Sequence, residues 1–377
     1  MAERIKLDEP TKKELECQML NFIHRKVAVD YIPTGSTLLN LAASQNIHGG
    51  HARGRIVNPV GDGSAGKTLL ALEAAANFIK FVPSIKSHCY QTPKLKDIII
   101  KYNNRETVMD FPIEKMYGQK FMDIVEFYYT ESVEAFGADF FKICRDYKTG
   151  QSVLYVIDSW DSLDSEEDMK SFDTELDKRI KNPDWRPGKD DAGSYNLGKQ
   201  KYGTQRFFKK CCTEMESKDI TLMIISQTRQ KIGVTFGDKK YRSGGDALNF
   251  FTHQVPWLRE VRKLHKTVFG EKKDYGIEAH AKFKRNKASL PFREAKFCIL
   301  FDYGIDDIMS NLNYLFGPEA KVWDIGDEKF TDIKAAILYI EEMELEEPIQ
   351  KLAADKWYKA EQALIDRTPI GGRKSRF

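Results

Sequence analysis

Apolar and polar positions alternate in recognisable blocks along this chain. Residues 8–25 place Leu15, Met19, Leu20, Phe22 and Ile23 at roughly helical spacing among charged residues, which predicts a short amphipathic helix. A helix of that length is marginal alone, so its stripe packs either on the chain's own core or on a neighbouring subunit. Beyond a glycine-rich stretch, Arg55-Ile56-Val57 opens a strand, with Pro59 awkward for a central one. Residues 69–76 are strong helix formers. Four more apolar runs, at 98–100, 124–129, 153–157 and 220–225, read as strands, and helical patterns at 131–146 and 199–217 lie between them. This alternation predicts an α/β fold whose mostly parallel sheet is covered on both faces. Residues 277–301 alternate as antiparallel strands, suited to one edge of such a sheet.

Two stretches break the pattern. Residues 164–192 are charged, contain Pro and Gly, and show little apolar periodicity. That is long for a structureless loop in a compact domain, so a functional or disordered segment is expected there. Residues 306–365 form a separate helix-rich unit, and 368–377 end the chain with Arg373, Lys374 and Arg376 and no acid, as a flexible basic tail would.

Composition adds limits. The 377 residues are 41% hydrophobic, enough for a large core with small flanking pieces. Charged residues reach 31% but nearly cancel to +3, so any contact with a polyanion must come from local clusters. Cys17, Cys89, Cys144, Cys211, Cys212 and Cys298 show neither a C-x-x-C pair nor zinc spacing, as expected of reduced cytoplasmic thiols. The polar N-terminus lacks a signal-peptide stretch, and no apolar run is long enough to span a bilayer.

The chemistry begins at Gly61-Asp62-Gly63-Ser64-Ala65-Gly66-Lys67-Thr68, which fits the phosphate-binding pattern G-x-x-x-x-G-K-[ST] between a strand and a helix. Glycines let the backbone turn successive N–H groups onto phosphate oxygens, and the following helix adds its N-terminal partial charge. Lys67 would lie between the outer phosphates of ATP, and Thr68 would offer a hydroxyl to Mg²⁺. The apolar run 153–157 ends in Asp158, an acid at a strand's C-terminal end, where the second metal-holding carboxylate is needed.

These residues resemble a family. Ile32-Pro33-Thr34-Gly35-Ser36, Gly54-Arg55-Ile56-Val57 and the phosphate loop resemble the opening of the bacterial RecA ATPase core. Asp158-Ser159-Trp160-Asp161-Ser162-Leu163 resembles its second motif. Ser226-Gln227-Thr228-Arg229-Gln230-Lys231-Ile232-Gly233-Val234-Thr235-Phe236-Gly237 is similar to the RecA segment that ends a core strand and enters the second DNA-binding loop, with Gly244-Gly245-Asp246-Ala247-Leu248 resembling its end. Lys282-Phe283-Lys284-Arg285-Asn286-Lys287 is similar to the basic segment at the subunit interface. The matches run from 32 to about 305 in family order. A short N-terminal region, a loosely similar C-terminal region and a basic tail depart from bacterial RecA and suit a divergent relative such as a phage recombinase of the UvsX kind.

The resemblance implies a RecA-like P-loop ATPase core at 32–305, a short N-terminal helix for oligomerisation at 1–31, a small helix-rich C-terminal domain at 306–367 and the tail at 368–377. It implies a DNA-dependent ATPase that forms a homo-oligomeric helical filament on single-stranded DNA and pairs it with homologous duplex DNA, in a bacterial or phage-infected host cytoplasm. Gln227 would sense the terminal phosphate and move the loop after it, in which Arg229, Lys231, Phe236, Lys239, Lys240 and Arg242 would contact DNA. Arg285 and Lys287 would reach a neighbouring subunit's terminal phosphate, and Asp110 would lie near the adenine. For the group that orients the attacking water, counting back from Asp110-Phe111-Pro112 selects Glu106, the preferred candidate, while counting forward from the strand selects Arg105. A ring helicase or regulatory ATPase of the same fold, and a non-hydrolysing ATP-gated filament, are the alternatives.

Overall fold

The computed structural model describes residues 29–106, 111–186, 202–215, 217–230, 240–242, 248 and 250–373. The expected helix at 8–25 lies outside them, as does the end of the tail.

The described residues open with β1 (Tyr31–Pro33), α1 (Thr37–Ser44) and β2 (Gly50–Ala52), the two strands pairing antiparallel. Ser36 starts α1 by accepting a hydrogen bond from the Leu39 N–H. Next come β3 (Ile56–Val57), β4 (Val60–Gly61), α2 (Lys67–Phe81), β5 (Ile98–Asn104), α3 (Ile113–Tyr117), α4 (Gln119–Ile124), β6 (Val125–Tyr128), α5 (Val133–Asp146) and β7 (Ser152–Asp158). After α6 (Glu166–Lys181) follow α7 (Phe208–Met215), β8 (Ile220–Ile224), β9 (Ser226–Gln230) and β10 (Lys240–Arg242). The rest is β11 (Gln254–Val268), β12 (Glu271–Asn286), β13 (Glu294–Leu300), β14 (Gly304–Asp306), α8 (Asp307–Phe316), β15 (Trp323–Ile325), β16 (Glu328–Phe330), α9 (Ile333–Glu342) and α10 (Glu346–Arg367).

One large sheet organises these elements. Its parallel part runs β6, β5, β7, β8, β3 and β11, with β4 carrying the β3 line onward between β9 and β11. The antiparallel edge continues through β12, β13 and β14. All seven residues of β7 are buried because the strand is covered on both faces. Val153, Tyr155 and Ile157 point into an aromatic layer with Phe136, Phe140, Phe207 and Trp160, whereas Leu154 and Val156 meet α2 through Ala71, Ala75 and Phe78. A third cluster joins α1 and the antiparallel edge to Ala353, Ala354, Trp357 and Tyr358 of α10, so the last helix shares the main core.

Three expectations change here. The strand at Arg55 is parted at Asn58-Pro59 into β3 and β4, since proline has no N–H to give a ladder. The antiparallel hairpin begins at Gln254, well before the expected 277. The expected loop at 164–192 contains a 16-residue helix, α6, none of whose residues is buried. Its sequence supplies what an exposed helix needs. Ser165 caps it, Glu166, Glu167 and Asp168 occupy the first turn, Lys178, Arg179 and Lys181 the last, and Arg179 pairs with Glu175 at 2.8 Å. Among the described residues no helix is long and apolar enough to cross a membrane.

Candidate nucleotide-binding site

Four strands of the parallel sheet end at one place. The register sets Gly61 of β4 level with Gln227 of β9 and Asn104 of β5 level with Asp158 of β7. The loop after Gly61, the turn after β5, Asp158 and Gln227 therefore meet at the carboxyl end of the sheet, where open α/β sheets bind ligands.

The loop 61–66 is shaped by backbone demands. A Cβ on Gly61 would stand 2.6 Å from the Leu258 carbonyl, and Gly66 takes a φ of +84° immediately before α2. Lys67 is mostly buried, and its Nζ donates to the Asp62 carbonyl. Burial pulls this ammonium below its ordinary pKa, while the carboxylates of Asp158, Glu106, Asp62 and Asp161 push it back up.

Asp158 is buried at the end of β7. The Tyr102 hydroxyl donates to its Oδ2 at 3.0 Å, and the Thr68 hydroxyl lies beside the same carboxyl group. Burial pushes this carboxyl up to about 6, against the lowering pull of Thr68, Tyr102 and Lys67. Its other oxygen, Oδ1, is buried with no hydrogen-bond partner among the described residues. A buried, unsatisfied carboxylate oxygen beside a hydroxyl and an ammonium is a donor set that fits Mg²⁺ with a phosphate chain. Above the loop there is room for the phosphates, since a Cβ on Gly63 would meet nothing within 4 Å.

The turn after β5 separates the two candidates for the water-orienting group. Glu106 accepts from the Gln227 amide Nε2 at 2.9 Å and adds to the field around Lys67 and Asp158. Arg105 turns to Tyr129, its guanidinium carbon 6.0 Å from the ring centre. Gln227 is held on its backbone side too, its N–H donating to Asp161 Oδ2 at 2.6 Å. The next residue, Thr228, gives its hydroxyl to Asp62 Oδ1 of the phosphate loop. Sequence reading passed over Tyr102, Asp161 and Thr228. Only Asp161 carried a signal, three residues past Asp158 in the same motif.

Other expected site residues are scattered. Arg229 is exposed on β9, level with Tyr241 of β10, and the backbone of Lys240 lies level with Gln230. Arg242 departs from the DNA-contact expectation: it is buried and its guanidinium donates to Asn58 Oδ1, because its place on β10 opposite Thr228 turns the side chain into the sheet. Asp110, Lys231, Phe236 and Lys239 lie outside the described residues. Arg285 and Lys287 both donate to the Phe250 carbonyl, at 3.3 and 3.2 Å. Arg285 is level with Val255, three residues or roughly 10 Å along β11 from Leu258, the partner of Gly61, so neither joins the group around Lys67.

Comparison with known proteins agrees with this architecture. The family model of the RecA N-terminal domain matches residues 189–306. Protein RecA of Aquifex aeolicus is 27% identical over 312 residues, covering 81% of this chain and 76% of that protein. Protein RecA of Prochlorococcus marinus is 26% identical over 344 residues, 88% of this chain and 77% of the relative. Protein RecA of a Synechocystis strain is 27% identical over 286 residues, 74% and 66% of the two chains. The chain is similar to RecA-type proteins over most of its length. The family-model match begins after the phosphate loop and takes in the Gln227 strand and the long hairpin of β11 and β12, so the RecA likeness does not rest on a phosphate-binding pattern common to many ATPases.

Proposed function

We propose that this RecA-like chain is a DNA-dependent ATPase that assembles as a helical filament on single-stranded DNA and promotes homologous pairing and strand exchange in recombination and repair. The observation that carries the reading is the contact of the Gln227 amide with Glu106, on a strand that pairs with the phosphate loop and leads directly into the cationic stretch 228–246.

The loop 61–66 and Lys67 would hold the phosphates of ATP, with Thr68 and Asp158 holding Mg²⁺. When bound, Mg²⁺–ATP supplies the reactive phosphoanhydride and the charge this site neutralises. Glu106 is the carboxylate placed to orient water. Gln227 is the group whose amide can exchange a carboxylate partner for a phosphate oxygen and so shift β9. Asp110 would lie by the adenine, and Arg229, Lys231, Phe236, Lys239 and Lys240 are the proposed DNA contacts. Arg285 and Lys287, remote from Lys67 within one chain, suit a role toward another subunit, which makes activity depend on assembly. By the same reading, residues 1–31 serve oligomerisation, 32–305 form the ATPase core, 306–367 a small C-terminal domain and 368–377 a tail, working in a bacterial or infected-host cytoplasm.

The test is phosphate release and D-loop formation with and without single-stranded DNA, wild type against Lys67→Ala. Stimulation by DNA and D-loops that vanish in the variant support the reading. Closed rings in electron micrographs, or ATP-independent pairing by Lys67→Ala, would contradict it.

A further inference from the structure

Gln227 is gripped by two carboxylates, and only one of these grips involves its side chain. Its amide Nε2 donates to Glu106 Oε1 at 2.9 Å, while its backbone N–H donates to Asp161 Oδ2 at 2.6 Å. The second bond stands where a sheet bond would otherwise be made. Ser226, one residue earlier, gives its N–H to the Pro59 carbonyl beside β4 at 2.9 Å. Successive N–H groups of a strand point to opposite edges, so that of Gln227 faces away from β4. Among the described residues β10 covers that edge only from Thr228 to Gln230, and at Gln227 the acceptor is Asp161.

Asp161 can hold a strand because its own turn is fixed. It sits in the single 3₁₀ turn Trp160–Ser162 that follows β7. Trp160 is buried in the aromatic layer, and its N–H donates at 2.9 Å to the carbonyl of Ile225, two residues before Gln227. Leu163, on the far side of the turn, is fully buried as well. The Ser162 N–H closes the turn onto the Ser159 carbonyl at 3.2 Å. Asp161 is thus a half-buried residue between two buried anchors, three positions after Asp158. The carboxylate proposed to hold Mg²⁺ and the backbone of β9 are joined through this short, braced piece of chain.

The two grips respond differently to motion. The side-chain amide can leave Glu106 by turning about its own torsions, with β9 in place. A displacement of β9 instead stretches the charge-assisted bond from its backbone to Asp161. We infer that Asp161 is a positioning residue: it latches β9 in the arrangement where Gln227 is bonded to Glu106, and a shift of β9 requires its release. The surrounding charge gives the latch a direction. Asp161 faces the Lys67 ammonium together with Asp158, Glu106 and Asp62, and helps to keep it charged. A phosphate chain on Lys67 takes up that ammonium and sets a further anion in the field of Asp161, so bound nucleotide weakens the latch. This rests on the recombinase reading for the loop that β9 moves, and adds the residue that holds the loop at rest.

Asp161→Ala removes the acceptor, and Asp161→Asn keeps an oxygen of the same shape without the charge, which serves if alanine loosens the turn. Hydrogen–deuterium exchange of residues 225–229 in the full-length protein, without nucleotide, reads the latch directly. Exchange there is expected to be roughly tenfold faster in Asp161→Ala, the worth of one charge-assisted hydrogen bond, and intermediate in Asp161→Asn. Phosphate release reads the consequence. With β9 freed, the DNA-independent rate is expected to rise and the KM for ATP to fall, so that stimulation by single-stranded DNA shrinks by a similar factor. A merely structural role would lower melting temperature and kcat alike with and without DNA and leave the stimulation ratio unmoved. That pattern overturns the inference, and so does wild-type exchange at 225–229 in both variants. A wild-type protein whose phosphate release DNA does not stimulate sinks the recombinase reading instead, while the exchange measurement still decides whether Asp161 holds β9.

Discussion

The side-chain amide of Gln227 donates to Glu106 Oε1 at 2.9 Å, across 121 positions of sequence. In this arrangement the carboxylate suited to orienting water is occupied by the amide suited to sensing a phosphate. If the two groups have the proposed roles, they compete while this bond lasts, and hydrolysis would be coupled to movement of β9. A Glu106→Gln variant keeps an oxygen for the amide and removes only the charge. Phosphate release is expected to fall a hundredfold or so, the usual worth of a general base, while ATP binding persists. Arg105→Ala, on the Tyr129 side, is expected to retain most of the activity. Single-turnover hydrolysis beside nucleotide-binding titrations decides between them; the opposite ranking would return the role to Arg105.

Thr228 gives a second link between the same strand and the phosphate loop, through its hydroxyl bond to Asp62. Asp62 is an acid inside the loop proposed to receive a polyanion, and Lys67 also leans on its carbonyl. Holding the carboxylate on Thr228 keeps part of its charge directed at β9 instead of the phosphates. Thr228→Val preserves shape and removes the hydroxyl. Weakening of about 1 kcal/mol, the scale of one partly screened charge interaction, would raise the KM for ATP roughly fivefold. A change in kcat alone, with KM unmoved, would show that this bond does not position the phosphate loop.

The parts of this molecule that were legible in its sequence are those where one local rule decides. The run at 153–157, ending in Asp158, announced a buried strand because parallel strands are apolar on both faces. The segment 61–68 announced its loop because few residue types permit that backbone. Helix α6 was not legible as a helix: with no buried face it has no strong apolar period, and its caps and charge order supply the signal instead. Tyr102 and Thr228 were invisible for another reason. Their roles depend on which strands become neighbours, as when β4 and β9 bring Asp62 to Thr228. The burial of Arg242 was not legible, because a basic residue in a glycine-rich stretch looks solvent-facing until its strand register is known.

Glu73 provides a pH test of the fold around α2. Its carboxyl is buried, and Oε1 accepts from the Tyr117 hydroxyl at 3.1 Å and the Ile305 N–H at 3.3 Å, tying α2 to α3 and β14. Burial pushes it up to about 7, and those two hydrogen bonds only partly oppose the rise. Gly35, Asn77 and Gly304 also surround it, and none of these neighbours supplies a cation. The folded protein therefore binds this proton more tightly than the unfolded chain, whose carboxyl titrates near 4.5. The stabilising effect of the neutral acid is complete below about 4.5 and is lost as pH rises to about 7, beyond which the buried charge is a constant penalty. Glu73→Gln keeps the Oε1 acceptor and cannot ionise. The variant is expected to match the wild type at pH 4.5 and to exceed its stability by about 3 kcal/mol at pH 8, following the size of the displacement. Urea unfolding at the two pH values measures this difference directly, and equal stability increments at both would mean that Glu73 does not titrate within the fold.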